Sequence, residues 1–205
     1  FNTSKVTNMQ YMFANCGYKL MTTLNLGANF DTSKVTNMSN MFFMTGREKL
    51  TTLNLGTKFN TAKVTDMSQM FEWMGALNRL DLGSNFDTSS VTNMEGMFWG
   101  TGYNNMQTMN LGDKFNTSKV TNMKNMFYDM GSVSLTSLDL GDNFYTTSVT
   151  DMTGMFKNCG SKAMTILDLG PAFTKIPQTN TEIFSGTGTS ALIVYAPESI
   201  YSSVK

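Results

Sequence analysis

At 205 residues, with fifteen lysines and arginines balancing fifteen aspartates and glutamates, the chain has room for one or two domains and no net charge to draw it toward nucleic acid or an anionic membrane. Histidine is absent, which removes the commonest general base and the commonest zinc and copper ligand, and two cysteines without a CxxC spacing make neither a disulfide framework nor a redox motif. No run of about eighteen apolar residues suits a membrane span, and no charged start followed by an apolar stretch reads as a signal peptide.

Phenylalanine recurs at 1, 30, 59, 86, 115, 144 and 173, with spacings of 29, 29, 27, 29, 29 and 29 residues. A period in this range indicates stacked coils. The first six units share V-T-N/D-M-x-x-M-F, beginning at Val6, Val35, Val64, Val91, Val120 and Val149. Its apolar residues are spaced by three and then one, which predicts an extended piece leading into one helical turn, with Asn8, Asn37, Asp66, Asn93, Asn122 and Asp151 placed to cap that turn. An outward bend follows, holding Gly17, Gly46, Gly75, Gly102, Gly131 and Gly160. The unit beginning at Phe59 is two residues short between Phe71 and Leu80, and a length change belongs in such a surface loop.

Each unit closes with a segment such as Leu50-Thr-Thr-Leu53-Asn-Leu55, whose two-residue alternation predicts one short parallel strand per coil. Gly27, Gly56, Gly83, Gly112, Gly141 or Gly170 then lets the backbone leave the sheet. Residues 1–172 thus read as six regular repeats and residues 173–205 as a divergent seventh coil and C-terminal cap of the same domain. The start at Phe1 without methionine or a matching N-terminal cap leads to the expectation of a segment excised from a parent chain that continues upstream. The fold expected is a leucine-rich-repeat-like solenoid of the α/β class: seven coils, short parallel strands in one sheet, loops and short helical turns on the other side.

Six M-x-x-M pairs, from Met9/Met12 to Met152/Met155, match the spacing of copper(I) thioether ligands, but their even phase fits two stacked core columns better. Cys16 and Cys159 share one phase; at roughly 4.8 Å per coil they stand about 24 Å apart, beyond disulfide reach, and read as small buried thiols. Threonines 7, 36, 65, 92, 121 and 150 recur in every coil and so serve turns and backbone hydrogen bonds rather than catalysis.

Two sets of residues are candidates for ligand binding. Between the strand leucines, Asn25, Asn54, Asp81, Asn110, Asp139 and Asp168 form an outward column whose amides and carboxylates suit glycan hydroxyls; one oxygen-bearing side chain per coil is too few for a calcium site. After the Met-Phe pair the residues do not repeat, and Phe43, Trp73, Trp99, Tyr103 and Tyr128 form an aromatic edge ridge. These rings either shield the turn beneath or present a hot-spot and sugar-stacking surface.

The pattern F-D/N-T-S-x-V-T-N/D-M-x-x-M-F followed by L-T-x-L-D/N-L, over residues 1 to about 172, resembles the BspA-like leucine-rich repeat family of bacterial surface proteins, and Val194-Tyr195-Ala196-Pro197-Glu198 followed by Tyr201 is similar to the ending of such arrays. The position of the usual leucine-rich asparagine alternates here as Asn29, Lys58, Asn85, Lys114 and Asn143, so a continuous asparagine ladder is not expected. The resemblance implies a secreted, surface-attached segment with no cofactor and no catalytic residues. It implies an adhesin that engages a host extracellular protein or glycan; the charge balance and the lack of a long apolar run speak against nucleic acid and against membrane insertion by this segment, and a monomer is expected. A stiff spacer holding another domain away from the cell wall is the alternative.

Overall fold

The computed structural model describes residues 2–203, so Phe1 and the last two residues of the expected cap lie outside the described residues. Seven three-residue strands follow in order: β1 (Thr23–Asn25), β2 (Thr52–Asn54), β3 (Arg79–Asp81), β4 (Thr108–Asn110), β5 (Ser137–Asp139), β6 (Ile166–Asp168) and β7 (Ile193–Tyr195). Pairing is parallel and in register with the repeat, Leu24 opposite Leu53 and Leu138 opposite Leu167. The central residue of each strand points into the core and its neighbours point out, as the alternation requires. The chain is a parallel β-solenoid of about six turns, consistent with a leucine-rich-repeat-like stack. Seven strands bound six full turns, so seven coils is an approximate count.

Two features depart from expectation. Instead of one sheet, the strands form three ladders, β1-β2, β3-β4 and β5-β6-β7. The first break falls at the coil that is two residues short; the second has no counterpart in the spacing. Single-residue parallel bridges on another side of the coil, running Asn8, Asn37, Asp66, Asn93, Asn122, Asp151 and Thr179, supply an additional ladder that spans both breaks.

The expected helical turns are also absent among the described residues, and the α/β class gives way to a solenoid with almost no helix. Along the M-x-x-M-F run, alternate amides do two different things. Those of Met9, Tyr11, Phe13 and Asn15 donate along the stack to the carbonyls of Asn37, Ser39, Met41 and Phe43 at 2.7–3.2 Å. The amides between them close tight turns, Met12 to Met9, Ala14 to Tyr11 and Cys16 to Phe13. Every fourth residue is left-handed, as at Tyr11 and Asn15, both at φ 58°, and Asn40 and Met44, at 57° and 54°. Alternating handedness cancels helical rise and keeps carbonyls aimed at the next coil. The residues expected to cap a helix instead cap these turns, Asn8 Oδ1 accepting from the Gln10 amide at 2.9 Å and Asp66 Oδ1 from Ser68 at 2.9 Å. One short 3-10 helix, Glu198–Ser203, closes the described chain, its Ile200 buried against the last coil.

The paired methionines are core columns from Met38/Met41 to Met152/Met155, all fully buried. Beside them Phe13, Phe42, Phe71, Phe98, Phe127, Phe156 and Phe184 stack ring on ring at 5.4–5.7 Å, and each such pair contributes about 0.5–1.5 kcal/mol beyond its buried area. A buried threonine ladder takes the place of the asparagine ladder: Thr88 Oγ1 donates to the Asn116 carbonyl at 2.8 Å and accepts from the Asn116 amide at 2.7 Å, a pattern begun at Thr32 with Asn60. The exposed threonines bond likewise, Thr65 Oγ1 donating to the Thr36 carbonyl at 3.2 Å and Thr150 to Thr121 at 3.0 Å. Both cysteines are free thiols; Cys159 is buried as expected, whereas Cys16, in the first coil, is exposed.

Candidate functional site

The strand-face column is ordered by its own backbone. Asn25, Asn54, Asp81, Asn110, Asp139 and Asp168 each accept, through one side-chain oxygen, the amide of the glycine two residues on, at 2.8–3.0 Å. These side chains therefore form the bend that the following glycine completes with a left-handed φ near 75°. Asn110, Asp139 and Asp168 line a shallow trough of about 660 Å³ over β4 to β6, joined there by Asp113 and Asp142. Among the described residues, no group of three or more Cys, Asp or Glu side chains is placed to hold a metal ion.

The five edge aromatics are all half-buried, so neither extreme expected from the sequence holds: the rings pack on the turns and still reach solvent. They do not form one ridge. Trp73 and Tyr103 pack at 6.0 Å with a 36° tilt, Trp99 and Tyr128 meet edge-to-face at 5.1 Å, and Phe43 belongs to neither pair. Each pair is topped by a cation. The Arg47 guanidinium lies 4.7 Å from the Trp73 ring centre and donates to the Tyr18 hydroxyl at 3.1 Å. Lys157 sits 5.8 Å from the Tyr128 centroid and pairs with Glu182 at 2.7 Å, which raises its pKa.

Trp73 fits because of what faces it. Its indole covers Gly100, where an added Cβ would come within 2.6 Å of the ring. The short bend of the Phe59 unit is the second cause: Met74, Gly75, Ala76 and Leu77 are buried, not looped out, because the longer bends on either side overhang them. The expected outward loop is thus a recess at this coil. It opens a groove of about 490 Å³ lined by Arg47, Glu48, Trp73, Tyr103, Asn104 and Asp129.

Two acids beside the rings are poorly solvated. Glu72, 4% exposed, occupies the ridge position between Phe43 and Trp99; burial, with the Glu95 charge adding to it and a Gln69 hydrogen bond opposing it, pushes its carboxyl up to about 7, and its Oε2 has no hydrogen-bond partner. Burial also raises Asp129, offset in part by the Asn158 amide, which donates to Asp129 Oδ1 at 3.1 Å. Trp99 Nε1 is buried and closes no hydrogen bond of good geometry, although its N–H dipole is near enough to Asp129 to favour the ionised carboxylate. Arg47, Glu72 and Asp129 were not singled out from the sequence. Their signal was present in the two-residue deletion and in the Trp73–Gly100 pairing one coil apart.

Two overlapping stretches, residues 19–137 and 73–169, match the family described as Mycoplasma protein of unknown function, DUF285. The matched span covers well over half of the chain, which therefore belongs to this repeat family. No curated protein and no solved structure matches it. No helix among the described residues is long and apolar enough to cross a membrane.

Proposed function

We propose that this chain is a non-catalytic, BspA-like binding segment of a bacterial surface protein, which engages a host extracellular protein or glycan through the bend edge of its solenoid. One observation carries the reading: scaffold columns repeat from coil to coil, whereas the edge changes at every coil and holds five aromatics that are only partly buried. Tryptophan and tyrosine supply much contact area at low entropic cost, and they dominate binding hot spots. The edge offers ring edges, a guanidinium, an amide and carboxylates, groups that hold a ligand by stacking and hydrogen bonding without covalent chemistry. Action as a monomer outside the cell, without a cofactor, is part of the same proposal.

The spacer reading has its own support, since coil-to-coil hydrogen bonds along the whole stack make a stiff rod. Beads coated with the segment separate the two. The adhesive reading expects saturable attachment to immobilised matrix proteins or mucosal glycans, competed by free segment and weakened at least ten-fold in a Phe43→Ser, Tyr128→Ser variant. Beads that attach no better than bare ones would favour the spacer.

A further inference from the structure

The recess at the short coil is a place that no other coil reproduces, and its walls carry side chains that the fold does not require. Arg47 and Glu48 stand on the longer bend before it and Tyr103 and Asn104 on the longer bend after it, and Asp129 also lines it. A volume of about 490 Å³ is in the range of small-ligand sites, roughly 300–1,000 Å³.

We propose, resting on the binding role given above, that this groove is a subsite for a neutral saccharide. Sugar hydroxyls are donors and acceptors at once, and they need both in return. The groove supplies both: Arg47 has guanidinium donors beyond the one given to Tyr18, Asn104 has an amide, and Glu48 and Asp129 accept. Asp129 is oriented by Asn158, which donates to its Oδ1. Tyr103, half-buried and braced against Trp73, gives a fixed ring for the apolar face of a pyranose. Trp73 itself is clamped between Arg47 and the Gly100 backbone, so it stiffens the wall and is not the stacking platform. Charge narrows the class, because one guanidinium against two carboxylates gives an anionic sugar no net attraction.

The experiment is an array of neutral hexose and N-acetylhexosamine oligosaccharides alongside sialylated and sulfated ones, followed by titration calorimetry with the best neutral binder. Tyr103→Ala and Asn104→Ala are each expected to raise Kd at least ten-fold, with Tyr103→Phe near the parent and Tyr195→Ala on the cap unchanged. Inserting Gly-Ser after Gly75, which restores the 29-residue spacing, is expected to abolish binding, with circular dichroism confirming the fold of every variant. Should a groove variant not fold, the remaining ones decide. Neutral binding indifferent to all of them, or binding of charged glycans alone, overturns the proposal. A blank array with beads that still attach to matrix proteins overturns the saccharide assignment and leaves the adhesive reading standing; a blank array with no attachment overturns both.

Discussion

The inner columns and the outer bend edge grow from the same repeat, and they behave oppositely. Inside, Met, Phe, Val and Thr recur because each coil meets the same environment above and below: Val35 through Val149 and Met38 through Met152 are fully buried one over another. At the edge the same phase holds Ala14, Phe43, Glu72, Trp99, Tyr128 and Lys157, six chemistries on one backbone path. That path tolerates variety because its hydrogen bonds run main chain to main chain, as from Trp73 to Trp99 at 2.7 Å and from Gly100 to Tyr128 at 2.8 Å. A solenoid of this kind separates what holds it together from what it presents.

The strongest way to break that comparison is to damage a column. Met67→Asp with Met70→Asp places two carboxylates where neither methionine has any exposure, at a cost on the order of 5 kcal/mol or more. Melting followed by circular dichroism is expected to show the central coils lost; a parent-like melt would remove the methionines from the core.

Gly100→Ala tests the point where edge and backbone meet. A Cβ at φ +63°, 2.6 Å from the Trp73 ring, is expected to cost about 2–3 kcal/mol and to shift the tryptophan emission as the indole is displaced. Unchanged emission would show that Trp73 does not lie there.

Thr88→Val keeps the shape and removes a hydroxyl that both donates to and accepts from Asn116. Leaving those backbone groups unpaired is expected to cost about 1–2 kcal/mol by urea unfolding. A neutral result would reduce the buried threonine ladder to packing.

Glu72 sharpens the comparison from the edge side. Its folded carboxyl titrates near 7 against an ordinary 4.5, so the folded state binds the proton more tightly than the unfolded one. The stabilisation from this group is complete below about pH 4.5 and is lost as the pH rises through about 7. Glu72→Gln is therefore expected to be neutral at low pH and to stabilise by about 2–3 kcal/mol at about pH 8, the order that a shift from 4.5 to about 7 implies. Equal effects at both ends of that range would mean that Glu72 is solvated.

The repeat made much of the fold legible. Phenylalanine phase fixed the stacking, Leu53 and Leu55 located a strand, and the even spacing of M-x-x-M marked core columns, all from sequence. The turn geometry was hidden because i to i+3 spacing fits one helical turn and two successive reverse turns equally. Its signature was the recurrence of Asn, Asp and Gly, residues that tolerate left-handed φ, at Asn40, Gly96, Asn125 and Gly154, and again at Asn15, Gly100, Asp129 and Asn158. Gln69, Met44 and Trp73 in the same phases masked it. The aromatic residues of the edge were legible, whereas their division into two cation-topped pairs depends on Arg47 reaching across a coil. The recess followed from the deletion only once the neighbouring bends could be seen to overhang it.

The most direct test of the separation between scaffold and edge is a Trp73→Ser, Trp99→Ser variant, measured for attachment to matrix proteins and glycans and for thermal stability on the same samples. Both indoles are half-buried, so melting is expected to fall by only about 2–6 °C, while attachment drops at least ten-fold. Attachment at the parent level with the fold intact, or attachment lost only in step with unfolding, would contradict the account.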